Sequence, residues 1–282
     1  MIAIITDSTC DIPQALIEQY GIIVISHIII WGDDQFRDRT EMTPLAFYER
    51  LETDSIRPTT SQASVADFLA GVNQARDNGA EEALILTVSS EMSGAYEMAK
   101  GAAEQSDIPV TVIDSKGPSM SLGWQVLAAA RARDEGASVS EIVDTVDQVR
   151  ANLVQIVAME TIEYLKTGGR IGDAAKWVGA RLKVKPVVSI NFETGRVSPA
   201  GLARTKKSKM DMLNKKFFDA LDTGKKLHIA VLHGNAPKEA EQLAERIRDE
   251  FDPAELIVNI TGPVLGVNTG PGALSLAGYA ED

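Results

Sequence analysis

The chain has 282 residues, of which 44% are hydrophobic and 24% charged, and its formal net charge is −12. This length supports one large domain or two ordinary ones with cores that need no covalent staples, and the acidic balance argues against general binding to phosphate backbones. Cys10 is the only cysteine, which excludes an intramolecular disulfide. Taken in order, the first segment is an apolar strand over 2–5 with no basic region ahead of it, so a cytoplasmic protein without a signal peptide is expected. That strand stops in Thr6-Asp7-Ser8-Thr9. Asp11 and Pro13 open a short helix that Gly21 ends. Residues 22–31 form one β-branched run interrupted only by Ser26 and His27. It is too short for a bilayer and reads as a single buried strand.

Thr43-Pro44 opens a helix through 51. Thr59-Thr60-Ser61-Gln62 reads as a loop ahead of Ser64, which caps a helix to about Asn78-Gly79. Val65, Phe68, Leu69 and Val72 give that helix one buried face. A strand over 83–88 runs into Ser89-Ser90-Glu91-Met92-Ser93-Gly94, where Ser93 is placed to cap a helix through 104. A strand over 110–113 runs into Asp114-Ser115 and is followed by a helix over 121–135. Ser138 and Glu141 form a capping box for a helix ending near 152. Strands alternating with helices predict a parallel sheet with right-handed crossovers.

The rhythm changes near Leu153. A strand over 154–159 leads to a short helix that ends at Thr167-Gly168-Gly169, and Asp173 starts another helix through 182. Strands over 186–190 and 196–203 are joined by the hairpin-like turn Asn191-Phe192-Glu193-Thr194-Gly195. A helix to about 221, a strand over 227–233, a helix over 238–251 and a strand over 255–260 follow. Gly262 to Gly272 reads as a rigid Gly/Pro loop, outside any strand–loop–helix unit, before a last strand over 273–279. The predicted fold class is α/β: an N-terminal parallel-sheet α/β/α domain over 1–153, and a C-terminal α+β domain over 154–282 with a mostly antiparallel sheet.

Ligands of open α/β sheets bind beyond the carboxyl ends of the strands. The hydroxyl-rich turns after the strands at 2–5, 83–88 and 110–113, with the Thr60 cluster beside them, are expected to converge there. Ser93 at a strand-to-helix turn either caps its helix or offers its hydroxyl to an anion beside free N–H groups. Thr60 and Ser61 are either plain loop residues or a second donor set for that anion. Asp7 and Asp114 suit acid/base or Mg²⁺ chemistry, or the commoner task of bracing turns. The Gly-x-Ser-x-Gly nucleophile elbow is absent around Ser93, and no histidine accompanies the hydroxyl turns, so the pattern points to holding a polar head group. Asn268 and Thr269 sit inside the Gly/Pro loop, where glycines permit close approach of backbone to ligand. Arg204, Lys206, Lys207, Lys209, Lys215 and Lys216 form a basic cluster, either a solvated helix face or a docking surface for an acidic partner or a phosphate.

Five segments in chain order carry a likeness to a known family: Thr6-Asp7-Ser8-Thr9, Thr60-Ser61-Gln62, Ser89 to Gly94, Tyr164 to Ile171, and Gly270-Pro271-Gly272. Together they resemble the DegV family of fatty-acid-binding proteins. The resemblance implies a two-domain α/β protein that holds one long-chain fatty acid between its domains. It places Thr60 and Ser93 on the carboxylate, joined by Asn268, which stands at the position of a family histidine. Ser61, Gly94, Arg170 and Arg204 fall in supporting positions, and no catalytic residue, cofactor, metal or nucleic acid is implied. Some members present the bound acid to a separate ATP-dependent fatty acid kinase, which makes an acyl phosphate, and arginines at the positions of Arg170 and Arg204 serve that step or the kinase contact. Asparagine can still donate a hydrogen bond to a carboxylate, but it cannot carry charge or shuttle a proton. Ala63 and Ala95 replace a common proline and threonine of the family motifs. Two rival readings remain at this point: a phosphotransfer or acyl-transfer enzyme using Asp7, Asp114 or Ser93, and a docking protein acting through the basic cluster.

Overall fold

The computed structural model describes residues 1–177 and 184–281. Its first half builds a parallel sheet from β1 (Ile2–Asp7), β2 (Ile23–Ile25), β6 (Glu82–Thr87) and β7 (Val110–Asp114), in the order β2-β1-β6-β7. The carboxyl ends of β1, β6 and β7 therefore lie side by side, as the alternating pattern predicts. Helices α1 (Gln14–Tyr20), α3 (Val65–Asp77), α4 (Ala95–Ala103), α5 (Met120–Asp134) and α6 (Val139–Ala151) accompany this sheet. The predicted Ser138–Glu141 box caps α6, and the predicted Ser64 cap of α3 proves to be a full box with Asp67.

The run 22–31 is not one strand. It breaks at Ser26-His27 into β2 and β3 (Ile28–Trp31), and β3 joins β4 (Asp34–Arg37) and β5 (Thr59–Ser61) in a separate antiparallel sheet. Side-chain bonds replace the ladder at the break. The His27 N–H donates to Ser8 Oγ at 3.1 Å, and Ser26 Oγ donates to the Asp38 carbonyl at 3.0 Å. The same pairing makes Thr59–Ser61 a strand instead of the expected loop.

The second half forms a six-stranded sheet in the order β10-β9-β8-β13-β11-β12, from β8 (Val154–Ala158), β9 (Lys185–Asn191), β10 (Arg196–Ala203), β11 (Lys226–His233), β12 (Glu255–Ile260) and β13 (Leu274–Glu281). Every pair is antiparallel except β11 with β12. The helix expected over 173–182 is a 3-10 helix at Gly172–Trp177, and its remainder lies outside the described residues. The supposed Gly/Pro loop contains a helix, α10 (Pro263–Thr269), with Pro263 at its first turn and Gly270 beyond its end at φ +72°. That is the common N-terminal proline, C-terminal glycine arrangement, and it was present in the sequence.

Helix α5 lies between the two large sheets. It packs on β1 and β6 on one side and on β13 on the other, and nearly every residue along it is buried. A helix enclosed on both sides needs apolar or small residues all round. Here Ala128, Ala129 and Ala130 let a sheet approach, and Gly123 lies so near the Cys10 carbonyl that a Cβ would stand 2.6 Å from its oxygen. Trp124 Nε1–H donates to the Ala277 carbonyl at 3.0 Å and ties the helix to β13. A smaller core of Ile29, Trp31, Phe47, Tyr48, Val264 and Val267 joins β3 and α2 (Pro44–Thr53) to α10. No helix among the described residues is long and apolar enough to cross a membrane.

Candidate functional site

Two adjoining cavities open where the strands of the first half end. The inner one, of about 90 Å³, is walled by Val88 and Met92 after β6, by Val157, Val188 and Val197 of the six-stranded sheet, and by Val264 and Leu265 of α10. The outer one, of about 440 Å³, is lined by polar groups that include Arg57, Thr59, Thr161 and Thr167. Thr60, Arg170 and Asn268 line both cavities and mark their junction. Thr9, His27, Ser61, Gln62 and Ser93 complete the polar end of the inner cavity.

Thr60 is held in the middle of β5 by pairing with Ile29, and among the described residues nothing pairs with its hydroxyl. Ser93 does not occupy the N-cap position. Helix α4 starts at Ala95 with Gly94 before it, and Ser93 Oγ accepts the Ala95 N–H at 3.2 Å. Its own proton is taken by no acceptor among the described residues. Gly94 brings the two segments together, because a Cβ there would stand 3.1 Å from Gln62 Nε2. Asn268 spends one of its two amide hydrogens within its own helix: Nδ2 donates to the Val264 carbonyl at 3.0 Å, while Oδ1 lies buried against Gly168 without a partner among the described residues. Arg170 donates from Nε to the Met92 carbonyl at 3.0 Å and from Nη1 to the Gly168 carbonyl at 2.6 Å. It thereby clamps α7 (Glu163–Thr167) to the Ser93 turn. The structure does not bring Arg204 to this site; it lies exposed just after β10 and lines neither cavity.

The candidate acid/base carboxylates brace turns instead. Asp7 Oδ1 accepts the Thr9 N–H at 3.0 Å and the Thr9 hydroxyl at 2.6 Å, and Oδ2 accepts the Val88 N–H at 2.8 Å. Burial works against its charge, but His27 and these donors outweigh it and hold the carboxyl below the usual carboxylate range. Asp114 accepts the Ser90 N–H at 3.1 Å and the Lys116 N–H at 3.0 Å, and pairs with Lys116 Nζ at 2.8 Å. The basic cluster is likewise partly spoken for. Lys209 is buried with its Nζ 2.5 Å from Glu160 and 2.9 Å from the Gly272 carbonyl, while Lys207 and Lys215 pair with Asp211 and Asp219.

Two features escaped sequence reading. His27 reaches the polar end of the inner cavity, and the signal was an imidazole inside an otherwise β-branched run. The second is a buried ionic cluster behind the site. Asp11, at φ +53°, accepts the Ser119 hydroxyl at 2.6 Å and the Gly262 N–H at 2.9 Å, and pairs with the Arg39 guanidinium. Asp38 accepts the Ser8 hydroxyl at 2.6 Å, and burial pushes its carboxyl up to about 6 despite nearby Arg39. A raised carboxyl holds its proton more tightly in the folded state, so stability is higher below the unfolded pKa and falls as pH climbs from about 4 to about 6. The cost above that window is on the order of 2–3 kcal/mol. Asp38→Asn is expected to flatten the stability profile over that window in denaturant titrations at stepped pH. An unchanged slope would contradict the assignment.

Comparison with known proteins follows the whole length of the chain. The family model described as "Uncharacterised protein, DegV family" matches residues 1–281. A DegV domain-containing protein of Streptomyces coelicolor is 34% identical over 277 residues, spanning 98% of this chain and 97% of that one. Among solved structures, a DegV family protein from Thermus thermophilus described by its fatty acid binding superimposes with a TM-score of 0.92 at 30% identity, covering 99% of each chain. DegV from Bacillus subtilis, described as a fatty acid binding protein, superimposes at 0.91 with 25% identity over 99% of each chain.

Proposed function

The chain belongs to the DegV family, and from that premise we propose that it binds one long-chain fatty acid as a carrier. The acyl chain enters the apolar inner cavity between the two large sheets, which must widen beyond its about 90 Å³ to take a long chain. Thr60 and Ser93 hold the carboxylate at the junction of the cavities, with Ser61, Gly94, Arg170 and Asn268 around them. The supporting observation is that an apolar slot walled by both sheets ends in two hydroxyls whose protons no other group among the described residues claims. The relatives from Thermus thermophilus and Bacillus subtilis are described as fatty-acid binding.

The physics suits this ligand. Each buried methylene contributes about 0.8 kcal/mol, so a long chain supplies most of the affinity. The head group needs satisfied hydrogen bonds, since a buried unpaired carboxylate is costly. Asp7 and Asp114 are saturated by turn donors, which favours a carrier over an enzyme that would use them. A carrier hands its ligand to a partner, and an ATP-dependent fatty acid kinase in the cytoplasm is the partner class the family implies.

Native mass spectrometry of the purified protein tests the assignment. The wild type is expected to carry fatty acid. Ser93→Ala and Thr60→Ala should each weaken binding by about 10- to 100-fold, from a charge-assisted bond of roughly 1.5–3 kcal/mol. Full loading of the double variant would overturn the head-group roles, and a lipid-free wild type under all loading conditions would overturn the ligand itself.

A further inference from the structure

We propose that His27 is a positioning residue that sets the distance between the two head-group segments; this rests on the fatty-acid reading above. The backbone of His27 is fixed on both sides. Its N–H donates to Ser8 Oγ at 3.1 Å, and its carbonyl accepts the Asp38 N–H at 2.9 Å. The ring is buried, and it connects the two segments through its two nitrogens.

On one side, Nδ1 accepts the Ala63 N–H at 3.0 Å. Ala63 directly follows Thr60-Ser61-Gln62, so this bond pins the segment that presents Thr60. Because an N–H already points at Nδ1, the ring proton of the neutral imidazole sits on Nε2. On the other side, Nε2 stands 3.3 Å from Asp7 Oδ1, close enough for electrostatic attraction but not aligned as a hydrogen bond. The second oxygen of Asp7 accepts the Val88 N–H at 2.8 Å. Val88 begins the turn that presents Ser93. One relay therefore runs from Ala63 through His27 and Asp7 to Val88, and couples the two hydroxyls that the carboxylate must meet together.

Binding of a carboxylate by two hydroxyls depends on their spacing, whereas burial of the tail does not. Loss of His27 is therefore expected to act on recognition of the acid.

The test compares a C16 fatty acid with its methyl ester in tryptophan-quenching or displacement titrations of the full chain. His27→Leu fills the space but offers neither acceptor nor donor. It is expected to bind the acid at least tenfold more weakly and to lose most of the wild-type preference for acid over ester. In that background Ser93→Ala should cost less than about twofold, since the hydroxyl is already misplaced. His27→Gln, whose amide can accept from Ala63 and donate to Asp7, is expected to stay within about threefold of wild type. If His27→Leu fails to fold by circular dichroism, His27→Asn, which reaches Ala63 but not Asp7, takes its place with the same expected loss. A wild-type acid preference in the folded substituted protein, or a full Ser93→Ala penalty on top of it, would overturn the role of His27. Failure of the wild type to bind the acid at all would instead overturn the ligand reading.

Discussion

Replacing Arg39 with methionine is expected to cost about 3–5 kcal/mol of folding stability, the range for breaking a buried ion pair by removing one partner. Arg39 lies between two carboxylates that are fully removed from water, Asp11 and Asp38. Its guanidinium pairs with Asp11, and its Nε donates to the Ser8 carbonyl at 3.0 Å. Methionine keeps much of the stem but leaves two negative charges near each other without a counter-charge. Asp11 is also the knot that holds the Gly262 N–H and the Ser119 hydroxyl, so it anchors the first turn of α10 and the entry to α5. Urea titration at pH 7 measures the loss as a lowered midpoint, and part of it should return near pH 5 as Asp38 takes a proton. A midpoint within experimental error of wild type would show that the carboxylates are solvated or neutral without Arg39.

The second large effect concerns the ligand. Leu265→Trp is expected to lower affinity for a C16 acid by three to four orders of magnitude. Leu265 projects into the inner cavity one helical turn before Asn268, and it is only partly buried, so an indole can be accepted there without disrupting a packed core. Excluding about six methylenes from burial forfeits about 5 kcal/mol at about 0.8 kcal/mol each. Titration with acids of increasing length checks this. Wild-type affinity should climb with each added methylene, and the variant should show little gain beyond the point where the indole stops the chain. A preserved length dependence in Leu265→Trp would place the acyl chain elsewhere.

Much of the architecture was legible because local signals and burial agree. Caps at Ser64 and Ser138, the Gly21 stop and the strand–helix alternation all follow from short-range chemistry, and the structure keeps them. The split of 22–31 was hidden because β-branched residues favour either sheet equally. What decides it is a pair of long-range bonds from Ser26 and His27 to residues far away in sequence. Helix α10 is hidden in the sequence because its glycines suggest a loop more strongly than its proline suggests a start. The hydroxyls of the candidate site were visible as residue types, but their convergence depends on β5 pairing with β3 and on Gly94 meeting Gln62. Arg204 is suggested by motif likeness alone, and nothing in the chain's periodicity reveals that it falls outside the cavity. Lys209 looked like a member of an exposed patch, yet its spacing on α8 (Lys206–Phe218) turns it inward to Glu160.

Helix α5 carries a consequence for how the molecule comes apart. One continuous core runs from Ile4 and Leu84, through Trp124 and Leu127, to Leu232 and Ala277. Opening either sheet alone would leave one flank of α5 bare to water. Unfolding intermediates that keep one half intact are therefore penalised, and cooperativity extends across both halves of the chain. No residue of α5 lines the slot, whereas β5, α7 and α10 all do, so motions that widen it fall to that rim. Rigidity at the centre and compliance at the edge are thereby assigned to different parts of the sequence.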